Sequence, residues 1–136
     1  MAGNQGPMDG VTAHLTIREG KGSEAVEFYK AAFGAEEQLR HLADDGKRIM
    51  HSHLKINGGS LLLNDDFPEW TGGVAVPAAV TLHIQVDDAD AWWKRAVDAG
   101  CEIVMPLQVM FWGDRWGQVR DPFGVLWAMN APVKAA

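Results

Sequence analysis

Two segments half a chain apart alternate apolar and polar residues in the same way. Val11–Ile17 reads V-T-A-H-L-T-I, and Val80–Val86 reads V-T-L-H-I-Q-V. Alternation at period two predicts a strand with one buried face. The repetition predicts a duplicated fold, with two halves facing each other across a pseudo-twofold axis.

Arg18–Gly22 read as a turn, after which the period changes. Ala25, Phe28, Tyr29, Ala32 and Phe33 recur at helical spacing, which predicts a helix over 23–33 with Ser23 as its N-cap and Gly34 as its stop. Alternation returns over 36–42, and the D-D-G triplet at 44–46 predicts a hairpin turn into a strand over 48–56. There Met50, Leu54 and Ile56 share one side, while Ile49, His51, His53 and Lys55 share the other. Asn57-Gly58-Gly59 predicts another tight turn, followed by a short strand over 60–64. The first half therefore reads β-α-β-β-β.

The second half repeats that order. A strand over 80–86 leads to a helix capped by Asp87 or Asp88 and ended by Gly100, with Trp92 or Trp93, Ala96 and Val97 as its buried stripe. Strands follow over 102–107, 116–120 and 125–130, the last two joined by a type I turn at Asp121-Pro122-Phe123-Gly124. Residues 1–10 read as a flexible leader and 131–136 as a frayed tail. Between them lies one domain over 11–130, made of modules 11–65 and 79–130. A linker over 66–78 joins the modules, with Phe67, Trp70 or Val76 packing as a lid.

The more apolar face of each sheet should meet its helix. Parity then sends Leu15, Ile17, Leu54, Ile56, Leu82, Ile84 and Val86 beneath the helices. It turns His14, His51, His53 and His83 the other way, toward whatever the two sheets enclose.

Composition narrows the function classes. The 136 residues suit one domain, and a net charge of −6, from 12 basic and 18 acidic residues, argues against a nucleic-acid partner. No apolar run is long enough to span a bilayer, and no secretory h-region is visible. The single Cys101 allows no internal disulfide and no thiolate metal site, which fits the cytoplasm. Nothing near Cys101 activates it, so the thiol is expected to be inert.

Four stretches carry a resemblance: A-V-E-F-Y-K-A-A-F-G-A-E (25–36), I-M-H-S-H-L (49–54), V-T-L-H-I-Q-V-D-D-A-D-A (80–91) and M-F-W-G-D-R-W-G-Q-V-R-D-P-F-G (110–124). In this order the chain resembles the vicinal oxygen chelate superfamily, within it the PhnB-like glyoxalase/bleomycin-resistance group. The resemblance implies an α+β fold of two βαβββ modules forming a cupped mixed sheet around a cavity, usually in a homodimer. Metal-using relatives hold one ligand on the first strand of each half and a carboxylate on the last. Carried onto this chain, those positions fall on Thr12 and Thr81, near Leu62, and on Ala128. Neither Leu nor Ala can bind a cation, so the set is incomplete. His14 and His83, two residues further along the same faces, keep a shifted ligand role open.

Two functions follow from different classes. In one, the chain binds a small aromatic or amphipathic molecule without metal or turnover, lined by His14, His51, His53 and His83. Phe111, Trp112 and Trp116 would stack on the ligand, and Arg115 would pair with an anionic group. In the other, some of the same histidines hold a divalent metal for a lyase, isomerase or dioxygenase. The bland alternatives are hydrogen-bonded histidines, and aromatic residues committed to a core or a dimer contact.

Overall fold

The structure, a computed structural model, describes residues 6, 7, 9–74 and 78–133. Residues 1–5 and 8 of the expected leader, Val76 of the expected linker, and 134–136 of the expected tail lie outside the described residues. In chain order the elements are β1 (Ala13–Ile17), α1 (Gly22–Phe33), β2 (Glu36–Leu42), β3 (Ile49–Ile56), β4 (Gly59–Asp65) and α2 (Pro68–Thr71). The second half supplies β5 (Thr81–Gln85), α3 (Ala89–Ala99), β6 (Glu102–Val109), β7 (Asp114–Arg120) and β8 (Leu126–Pro132). The class is α+β, and the βαβββ order occurs twice. The short α2 lies inside the expected linker, and β8 runs two residues into the expected tail. No helix among the described residues is long and apolar enough to cross a membrane.

Two four-stranded sheets result, ordered β1-β4-β3-β2 and β5-β8-β7-β6. Both are mixed in the same way: the first strand runs parallel to the last, and the remaining pairs are antiparallel. The described residues cluster into two compact units. One holds β1–β4, α2 and α1 as far as Lys30; the other holds β5–β8, α3 and Ala31–Phe33.

In the first unit α1 and the expected strand face both contribute buried residues. Ala25, Val26, Tyr29, Leu54 and Leu63 are fully buried, and Ile17 and Ile56 nearly so. Ser23 does not cap α1. The helix starts one residue earlier, and its first N–H, at Gly22, is bound at 2.6 Å by the Asp65 carboxylate from the end of β4. The other oxygen of Asp65 accepts from Ile49 N at 2.7 Å. A negative group at a helix N-terminus satisfies the free donors that a serine would otherwise serve. Gly22 is required for the approach, since a β-carbon there would stand 2.5 Å from the carboxylate. Ser23 instead accepts from Arg40 Nη1 at 3.2 Å.

In the second unit Asp88 caps α3, accepting from Ala91 N at 3.1 Å. Of the two tryptophans, Trp93 meets the sheet at Gly117, while Trp92 lies beneath the Arg95 guanidinium at 4.6 Å. Ile84, Val86, Ala96, Val119, Trp127 and Met129 form the core. Phe33 joins it, with its ring 4.5 Å from that of Trp127. The expected turn at Asp121 is present, with Gly124 N on Asp121 O at 3.1 Å. The Asp121 carboxylate also binds Phe123 N, Val125 N and the Trp127 indole N–H at 2.8–3.0 Å.

Candidate functional site

Strand register decides which side chains share a face, because residues directly abreast point the same way. In the first unit His14 stands opposite Leu62, and Leu62 stands opposite His53. His51, two residues from His53, lies on the same side, with its ring centroid 6.5 Å from that of His14. The expected histidine face is therefore present within this sheet. It gains a member that parity along single strands does not reveal: His41 pairs with His51 across the β2–β3 ladder. A bulge between His41 and Leu42 sets that pairing. Counting back from the D-D-G turn brings His41 to within one residue of His51, which was the available signal.

The environments of these imidazoles differ. His53 is 1% exposed, with Nε2 2.8 Å from Ser60 Oγ. His14 and His41 are exposed. Burial, first, and then the neighbouring His14, His41 and His53 hold the His51 pKa below the ordinary imidazole value of 6.5.

The second unit presents a different face. His83 stands opposite Ala128, and Ala128 opposite Gln118. The next row is Gln85, Asn130 and Trp116. Gln118 Nε2 donates to Thr81 Oγ1 at 3.1 Å. Because β5 and β7 flank β8, this bond passes over β8 and helps leave Ala128 2% exposed. A chain of hydrogen bonds runs beside it, from Asp114 through Asn130 and Gln85 to His83.

The aromatic residues of 111–116 cluster at the β6–β7 hairpin. Gly113 N binds Met110 O at 3.0 Å, so Phe111 and Trp112 occupy the tip of a tight turn. Their rings meet edge to face at 4.9 Å, and Trp112 lies 6.2 Å from Trp116. Phe111 is 96% exposed and Trp112 47%. Arg115 does not join them. Strand alternation places it on the helix side of β7, where Nε and Nη2 reach Asp90 of α3 at 2.8–3.2 Å. The structure thus brings Trp112 and Trp116 together with Phe111, His83 onto Trp116's side of the sheet, and sends Arg115 to the other side.

The fold agrees with comparison to known proteins. A family model described as Glyoxalase/Bleomycin resistance protein/Dioxygenase superfamily matches residues 12–129. The chain belongs to that superfamily. The uncharacterized protein Mb0911c of Mycobacterium bovis is 39% identical over 130 residues, covering 91% of this chain and 84% of that one. The structure of TioX from Micromonospora sp. ML1 superposes with a TM-score of 0.69 at 28% identity, covering 91% of this chain and all of that one. A PhnB protein from Bacillus cereus shares the fold, with a TM-score of 0.72 at 20% identity over 90% of this chain and 99% of that one.

The superfamily's His/Glu metal set does not fit the residues present. The carboxylate positions implied by the resemblance fall near Leu62, which stands abreast of His14, and on Ala128, abreast of His83, and neither side chain carries a donor atom. Thr12 precedes β1, and the Thr81 hydroxyl is engaged by Gln118 beside Ala128. Among the described residues no group of three or more His, Cys, Asp or Glu is arranged to hold a metal ion.

Proposed function

We propose that the chain binds a small aromatic or amphipathic molecule without the superfamily's metal site. The observation carrying this reading is the hairpin tip, where Phe111 stands almost wholly in solvent, Trp112 is about half exposed, and Trp112 leads to Trp116 on the strand. Exposed aromatic clusters of this kind mark ligand or partner sites more often than they serve the fold. Thermal-shift screening with aromatic compounds tests it, since a ligand of the native state raises the Tm. Binding should quench tryptophan fluorescence and weaken in Trp112→Ala and Trp116→Ala. Affinity indifferent to both substitutions overturns the reading.

A second reading, a divalent-metal-dependent lyase, isomerase or dioxygenase, would draw on His14 and His51, whose ring centroids lie 6.5 Å apart. Elemental analysis after dialysis against Zn²⁺, Ni²⁺, Mn²⁺ and Fe²⁺ separates the two. Stoichiometric metal that is lost in His51→Ala supports the second.

We also infer a homodimer in a reducing cytoplasm. For the dimer, β6 is an edge strand that leaves Ile103, Met105 and Val109 exposed by 42–57%. A light-scattering mass near the 14.9 kDa monomer overturns it. For the compartment, the sole cysteine allows no internal disulfide.

A further inference from the structure

One chain of hydrogen bonds in the second unit determines where the His83 proton sits. Asp114 Oδ2 receives Asn130 Nδ2 at 2.9 Å, and a carboxylate can only accept. The amide of Asn130 must therefore turn its nitrogen toward Asp114, because its oxygen there would meet another acceptor. That same nitrogen reaches Gln85 at 3.1 Å, so the Gln85 atom must be oxygen. Gln85 Oε1 in turn lies 3.0 Å from His83 Nε2. Nε2 must carry the hydrogen. In the neutral ring Nδ1 is then left as a lone-pair acceptor, and it has no partner among the described residues.

The acceptor is accessible, since His83 is exposed. It shares its side of the sheet with Trp116, which stands abreast of Asn130. β5 and β7 are separated by one strand and His83 stands one same-face row along from Trp116, so about 12 Å separates the two backbones. A fused two-ring aromatic stacked on Trp116 spans more than half of that distance. Arg115, the one cation the sequence offered for an anionic group, is turned away and paired with Asp90. The face thus presents an acceptor and an aromatic surface.

We propose that His83 Nδ1 accepts a hydrogen bond from a neutral aromatic ligand bearing an O–H or N–H donor. Asp114, Asn130 and Gln85 act as positioning residues that hold the ring in the accepting tautomer. The proposal rests on the aromatic-binding reading above and adds the polarity of the group recognised.

Two measurements test it with the full chain. The first needs no ligand: ¹⁵N–¹H correlation spectra of the histidine rings above pH 7.5 should show His83 with its proton on Nε2. Asp114→Asn keeps the shape but removes the acceptor-only end, so the two His83 nitrogen shifts should move toward those of a tautomer mixture. An Nδ1–H form in the parent protein, or shifts unmoved in Asp114→Asn, overturns the proposal.

The second compares 1-naphthol with naphthalene by tryptophan quenching. The phenol should bind about twofold to tenfold more tightly, the range of one hydrogen bond. His83→Phe should abolish that preference, so that the two probes bind with the same affinity as each other. Equal binding of the two probes overturns the donor–acceptor assignment alone. Binding of neither overturns the aromatic-site reading with it.

Discussion

Trp93 of α3 lies so close over Gly117 of β7 that a β-carbon at Gly117 would stand 2.5 Å from the indole ring. The Leu107 backbone approaches the same point at 2.9 Å. Glycine inside a strand ordinarily weakens it, and here the missing side chain is the space that the tryptophan fills. Gly117→Ala should destabilise the protein by about 1–3 kcal/mol through overpacking. Urea denaturation followed by far-UV circular dichroism measures this, and an unchanged midpoint would contradict the close approach.

Asp65 joins the start of α1 to the start of β3 through its two oxygens. It is 1% exposed, so water cannot replace it. Asp65→Ala leaves two buried N–H groups without acceptors, at about 1–3 kcal/mol each. Asp65→Asn keeps one accepting oxygen and should lose roughly half as much. The ordering of the two variants is the test: equal losses would mean that the remaining amide oxygen preserves neither bond.

Much of this architecture is written in local periodicity, and what is missing from the sequence is missing for identifiable reasons. The βαβββ order, a cap at Asp87 or Asp88, the turn at Asp121 and the parity that puts His14, His51 and His53 on the less apolar strand faces all follow from local spacing. Asp65 was not legible, because its partner Gly22 lies 43 residues away and nothing local marks the meeting. His41 was missed because its alignment with His51 depends on a bulge, and one extra residue in a strand reverses every side. Arg115 looked like a ligand contact beside Trp116. Adjacent residues on a strand face opposite ways, and Asp90 claims the arginine. The cover over Ala128 was equally invisible, since it is made by side chains from two other strands.

Cys101 is 6% exposed and ends the turn after α3. Burial, aided by the Asp121 charge, pushes its thiol up to about 12. Only the thiolate attacks disulfide reagents. At pH 8 the native protein should therefore react with an aromatic disulfide reagent about a thousandfold more slowly than the urea-unfolded chain. Comparable rates would show that the site opens readily or that the thiol is not buried.

The His51 neighbourhood makes stability depend on pH with a definite sign. Its folded pKa is held below 6.5, chiefly by burial and secondarily by His14, His41 and His53. The unfolded chain therefore takes up a proton at this residue before the native protein does. Wherever the unfolded state binds more protons, stability falls as pH falls. The contribution is complete above the ordinary value, and is lost as pH drops from 6.5 toward the depressed native pKa. His51 is not fully buried, so solvent screens the effect and the fall is expected to be shallow. His51→Gln removes the titrating group while keeping a hydrogen-bonding side chain. The urea midpoint of the parent should drop more between pH 7.5 and pH 5.5 than that of the variant. Equal drops would mean that neither burial nor the neighbouring imidazoles depress His51, and a smaller drop in the parent would reverse the sign argued here.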